Sequence, residues 1–134
     1  MLASVVDEWK RWALFTVPED GEWHEGQIAL LGDAAHAMLP FAAQGAGMAI
    51  EDAAVLAKCL SEGGSDPAGV TAALKKYARQ RRGRVARIRR LARRQGRIYH
   101  MTGPMAAARD LFVRAMGGRR MLSRQDWIYD WRIS

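Results

Sequence analysis

The sequence predicts an α/β chain that is mostly α-helical, with two or so short strands near its start and one long basic helix. Three observations carry this expectation. An apolar run from Gln27 to Leu31 ends in Gly32-Asp33 and gives way to a helical pattern, as when a buried strand hands over to a helix. Apolar residues then recur at helical steps from Val70 to Ile98. Twelve of the 21 lysines and arginines fall between Lys75 and His100, a stretch without a single acid.

The elements follow in order. Residues 1–31 read as strands: the β-leaning run Trp12-Ala-Leu-Phe-Thr-Val17 is ended by Pro18-Glu19-Asp20-Gly21, and Gln27 to Leu31 is apolar on both faces, as in a strand inside a sheet. Residues 32–62 are a loop rich in Ala, Pro and Gly, followed by a helix from Met48 to Leu60. Ile50, Ala53, Ala54, Ala57 and Leu60 share one face of that helix, which predicts close packing along it. Gly63-Gly64 ends the helix, and Asp66-Pro67 offers a cap and a proline for the first helical position of a long basic helix over 66–100. Gly83 is the place for a bend. Gly103-Pro104 breaks the pattern, and a further helix from Met105 to Met116 precedes a tail with Trp127 and Trp131 spaced i, i+4, so that 104–134 forms a C-terminal helix and tail.

At 134 residues the chain has the size of one domain, with no repeat and no linker that would divide it. A single cysteine, Cys59, excludes an internal disulfide, and Asp7 and Glu8 interrupt the apolar stretch that an export signal needs. These features predict a reduced, cytoplasmic protein. Ile28 to Ile50 carries Asp33 as its sole formal charge over a membrane-spanning length, but Gly32, His36, Pro40, Gln44, Gly45 and Gly47 interrupt it with breakers and polar groups. Membrane insertion is therefore not expected. The net charge of +7 is uneven: outside Lys75–His100 nine basic residues face fourteen acids. The ten arginines from Arg79 to Arg97 invite a nucleic-acid reading, but the apolar seam is needed for packing and no aromatics interleave them for base stacking, so no specific nucleic-acid partner is expected.

Chemistry concentrates in residues 29–53. A strand that delivers Gly32 and Asp33 to a sheet edge, followed by two glycines and a helix, forms a ligand site by geometry. The Asp33 carboxylate can accept from ligand hydroxyls. Gly45 and Gly47 admit a flat ligand close to the backbone, and the helix behind them presents free N–H groups and a partial positive charge. His36 reads as an orienting hydrogen-bond partner rather than a proton shuttle, and Trp9, Trp12, Trp127, Trp131 and Cys59 read as packing residues.

The run Gly32-Asp-Ala-Ala-His-Ala-Met-Leu-Pro-Phe-Ala-Ala-Gln-Gly-Ala-Gly47 fits the spacing GD-x-x-H-x-x-x-P-x-x-x-x-G-x-G. It resembles the second flavin-binding motif of the single-component FAD-dependent aromatic hydroxylases, the p-hydroxybenzoate hydroxylase-like flavoproteins, and within them the salicylate and 6-hydroxynicotinate hydroxylase relatives. The Arg-rich helix, Gly96-Arg-Ile-Tyr-His100 and Asp126-Trp-Ile-Tyr-Asp-Trp-Arg132 extend the likeness over nearly the whole chain.

The resemblance implies the C-terminal portion of that FAD-binding fold, with residues 1–134 as one unit and an incomplete FAD-binding domain. It implies that Gly32, Asp33, Gly45, Ala46, Gly47 and Met48 contact FAD, with Asp33 on ribityl hydroxyls and the backbone of 45–47 on the N1 and C2 carbonyl edge of the isoalloxazine. It places Pro40 and Phe41 beside a small aromatic substrate and makes NAD(P)H the co-substrate. No G-x-G-x-x-G opens a βαβ unit here, so the ADP-binding half is missing from the chain and a catalytic base is not identified. The expected partner is that N-terminal half or a second copy of the chain. The alternatives are a partner-binding or oligomerising remnant without catalysis and, less favoured, a basic-helix nucleic-acid binder.

Overall fold

The computed structural model describes residues 10–117, 123 and 125–133. It is mostly helical, with one antiparallel two-stranded sheet. β1 (His24–Glu25) pairs with β2 (Ile28–Ala29) in the register His24↔Ala29 and Glu25↔Ile28, across a turn in which Gly26 takes φ +53°. The short helix α1 (Asp33–His36) and a 3-10 turn (Pro40–Ala42) lead into α2 (Gly45–Glu62). Then come α3 (Pro67–Tyr99), α4 (Gly103–Met116) and the single turn α5 (Asp126–Tyr129).

The long helix organises the rest. Its start is as expected: the Asp66 side chain accepts from Gly69 N at 2.6 Å, and Pro67 occupies the first turn. It runs unbroken through Gly83 for 33 residues, about 50 Å at 1.5 Å per residue. Tyr77, Val85 and Ile88 from α3 meet Met48, Val55 and Cys59 from α2 in the core, with Trp23 and Ile128 closing its ends. Tyr77 donates its hydroxyl to Leu30 O at 3.1 Å, which ties the hairpin to α3. Phe41 lies across Gly96, where a Cβ would come within 2.6 Å of the ring, so a bare backbone is needed at that crossing.

Three expectations are corrected. Trp12 to Val17 is not a strand: it is irregular, with Trp12 82% and Phe15 81% exposed. A strand needs an edge to pair with, and the Val17 and Pro18 carbonyls instead accept from the Arg89 guanidinium. Gln27 to Leu31 is not buried on both faces. Its strand is two residues long within a hairpin, and Ile28 is 71% exposed. The third concerns α2, whose buried residues are Met48, Asp52, Val55 and Cys59, while Ile50, Ala53, Ala57 and Leu60 face solvent. The helix is apolar nearly all round, so apolar content does not select a face; the one that turns inward carries the acid that α3 can satisfy.

Among the described residues no helix is long and apolar enough to cross a membrane, and no cluster of His, Cys, Asp and Glu could hold a metal ion. Of the four tryptophans read as packing residues, Trp127 and Trp131 are half-buried against the core, with guanidinium groups of Arg81, Arg84 and Arg87 over their rings, whereas Trp12 is exposed and does not pack, and Trp9 lies outside the described residues.

Candidate functional site

The hairpin delivers Gly32 at φ +59°, ψ −134°, a conformation nearly restricted to glycine. A Cβ there would also stand 3.0 Å from Ala49 Cβ, so α2 crosses directly behind the turn. The Gly32 carbonyl accepts from Ala35 N and His36 N at 3.0 and 2.9 Å and starts α1. Asp33, the first residue of α1, is exposed.

The chain then returns through the 3-10 turn. Ala43, in the left-handed region at φ +51°, redirects it into α2. A Cβ built on Gly45 would lie 3.8 Å from Asp33 Oδ1, so the carboxylate sits beside the N-terminus of an 18-residue helix. No side chain caps that end. Met48 N donates to Gln44 O at 2.9 Å, and among the described residues the amides of Gly45, Ala46 and Gly47 have no hydrogen-bond acceptor. An acceptor-only carboxylate and three unpaired donors thus share one solvent-facing rim. It lies on the surface: Asp33, Pro40, Ala43 and Ala46 are exposed, and Gly45 and Gly47 are half-buried.

Of the other residues expected at the site, Met48 offers the rim no free donor, its amide being bonded to Gln44 O, while Pro40 and Phe41 lie in the 3-10 turn that precedes α2. The Met48 side chain is buried in the core and supports the turn from inside. Pro40 opens the 3-10 turn, and Phe41 is held edge-on by Tyr99 and His100 of α3 and its end, with ring centroids 6.2 and 5.5 Å apart.

Beneath the rim lies a buried ionic network centred on Asp52, a residue the sequence did not single out. Its carboxylate is fully buried and accepts from Gly32 N at 3.2 Å, from Arg81 Nε at 2.7 Å and from His36 Nε2. Burial alone would raise its pKa, but the hydrogen bonds from His36 and Arg81 outweigh that and hold the carboxyl below its ordinary 3.8. Arg81 is itself buried and reaches Glu51 Oε2 at 2.8 Å. Glu51 takes a bidentate contact from Arg84 at 2.5 and 2.6 Å, and Arg84 donates to the Ile128 and Trp127 carbonyls at 2.8 and 3.2 Å. One network therefore fastens the Gly32 turn, α1, α2, α3 and α5 together. His36 acts as an orienting partner, as its place in the sequence suggests, and its Nδ1 is buried without a hydrogen-bond partner among the described residues. The signal for Asp52 was an acid in the middle of an Ala-rich helix; its partner Arg81, 29 residues away, left no local trace.

A rim of three helix-terminal amides beside a carboxylate suits a ligand that carries both hydroxyl donors and an electron-rich carbonyl edge. The family model described as an FAD binding domain matches residues 7–92. The chain belongs to this FAD-binding family. Within it, the chain is 37% identical over 132 residues to a 3-hydroxybenzoate 6-hydroxylase of Polaromonas naphthalenivorans (strain CJ2), covering 98% of the chain and 32% of that relative. It is 41% identical over 124 residues to 3-hydroxybenzoate 6-hydroxylase 1 of Aquipseudomonas alcaligenes, covering 92% and 30%. It is 34% identical over 119 residues to a salicylate hydroxylase of Pseudomonas putida, covering 89% and 26%. The chain thus spans about a third of the length of these relatives.

Proposed function

We propose that the chain supplies the ribityl- and isoalloxazine-contacting part of an FAD-dependent monooxygenase that hydroxylates an aromatic or heteroaromatic acid with NAD(P)H and O₂ in the cytoplasm. The observation that carries this reading is the juxtaposition of Asp33 with the uncapped N-terminus of α2. Asp33 has the chemistry to accept hydrogen bonds from sugar-chain hydroxyls. The Gly45, Ala46 and Gly47 amides have the chemistry to stabilise negative charge that collects on a carbonyl edge, without any side chain giving up a proton. When bound, the flavin supplies the redox chemistry, passing electrons from NAD(P)H to O₂.

The remaining residues shape the site. The Asp52 network holds Gly32 and His36 in place beneath the rim. Pro40 and Phe41 border the place for the aromatic ring, with Phe41 anchored on α3. An N-terminal FAD-binding half, or a second copy of the chain, would cover exposed apolar side chains such as Ile28, Ile50 and Leu60.

Reconstitution tests the proposal. The chain is combined with the remaining two thirds of a 3-hydroxybenzoate 6-hydroxylase, and FAD retention and aromatic-acid-stimulated NAD(P)H oxidation are measured. Recovery of both, lowered by Asp33→Ala, supports the reading. A folded complex that binds FAD equally well with and without Asp33 refutes the assignment of the rim.

A further inference from the structure

Away from the rim, α3 and α4 diverge and leave a half-open groove of about 1140 Å³. One wall is apolar, built by Met105, Phe112, Val113 and Met116 of α4. No residue of α4 is buried, so this wall has no cover among the described residues. The facing edge of α3 presents Arg87, Arg90 and Arg94, all exposed.

These three arginines stand apart from the paired ones, although Arg79, Arg89 and Arg97 of α3 also form no ion pair with a carboxylate among the described residues. Arg81, Arg82, Arg84, Arg93 and Arg109 each form an ion pair with a carboxylate, whereas Arg87, Arg90 and Arg94 form none among the described residues. Arg87 is aimed by stacking over Trp127 at 3.6 Å from the ring centroid. The groove's own acid, Asp110, is neutralised by Arg109 at 2.8 Å. The site is therefore an apolar trough whose cationic flank has no ion-paired acid among the described residues, Glu19 acting on Arg90 only through its more distant charge.

We propose that this groove docks an acidic amphipathic helix, its apolar face on α4 and its carboxylates on Arg87, Arg90 and Arg94. Spacing and charge select that occupant. The arginines recur at i, i+3 and i+7, spreading the charge over about 10 Å of helix, which matches acids one and two turns apart on a partner helix rather than a single anionic headgroup. A second copy of the chain is a poor match, because its exposed apolar helix pairs its one acid, Asp110, with Arg109 and leaves Arg114 to meet like charge. None of these residues belongs to the Asp33 rim, so the docking site stands or falls separately from the flavin reading.

The test uses the full chain and a labelled synthetic amphipathic helix with leucine on one face and glutamate at i, i+3 and i+7 on its flank, followed by fluorescence anisotropy. Saturable binding is expected, weakened about tenfold by combined Arg90→Gln and Arg94→Gln and abolished when the peptide's glutamates become glutamine. Both arginines are exposed, so the variant keeps its fold, which circular dichroism checks. Phe112→Ala weakens binding through the other wall. Absence of binding overturns the proposal. So does equal binding of the glutamine peptide, binding of dodecanoate or phosphatidylglycerol vesicles without the peptide, or self-association of the chain through α4.

Discussion

Replacing Asp52 with asparagine keeps the volume of the buried side chain and removes its charge. Three donors lose their common acceptor: Gly32 N, His36 Nε2 and Arg81 Nε. Breaking a buried ion pair costs about 3–5 kcal/mol, because the partner stays buried without its counter-charge. Here Glu51 still faces Arg81 at 2.8 Å and the amide oxygen can accept one of the three bonds, which puts the expected loss at about 3 kcal/mol near pH 7. Urea unfolding of the chain, followed by circular dichroism, measures it. The pH dependence follows from the direction of the shift. The folded carboxyl titrates below its unfolded value of 3.8, so its stabilisation is complete above that value and is lost as pH falls toward the lowered one. The gap between wild type and Asp52→Asn should therefore close in acid. A loss below about 1 kcal/mol at pH 7, or a gap that stays constant below pH 3.8, would refute the role given to the network.

Asp33→Asn, at an exposed position, should change stability by less than about 0.5 kcal/mol in the same unfolding experiment, which separates the rim from its support. Gly32→Ala should cost about 2 kcal/mol, since it forces an alanine into φ +59° and onto Ala49; a neutral result would mean that the turn is not held as described. Gly96→Ala drives a methyl into the Phe41 ring and should cost about 1–3 kcal/mol, mostly recovered in a Phe41→Ala background, which a double-mutant cycle reads directly. Burial, reinforced by the nearby Asp52 charge, pushes the Tyr77 phenol above its ordinary 10.0, so absorbance titration should show one tyrosine that stays protonated until the chain unfolds; Tyr77→Phe should cost about 1 kcal/mol through the lost bond to Leu30.

Local chemistry was legible in the sequence. Asp66-Pro67 marked the start of the long helix, Gly103-Pro104 the break after it, and the glycine-rich run marked the start of α2, beside which the Asp33 carboxylate lies. What depended on distant partners was not. Trp12 to Val17 has strand composition but no neighbouring edge among the described residues, so propensity went unused. α2 is apolar on several faces, and the choice among them was made by Arg81, which can satisfy Asp52. An acid inside an Ala-rich helix reads as solvent-facing until its counter-charge is found, and here the counter-charge sat within a run of twelve basic residues that looked alike. The same run hid the division between arginines that hold the fold together and those that flank the α4 groove.

The most direct measurement of the central claim is an amide nuclear magnetic resonance titration with FAD of the isotopically labelled chain combined with the remaining two thirds of a 3-hydroxybenzoate 6-hydroxylase. The rim described here predicts saturable shifts at Gly32, Asp33, Gly45, Ala46 and Gly47, suppressed by Asp33→Ala. Shifts confined to the arginines of α3, or none at the start of α2, would contradict it.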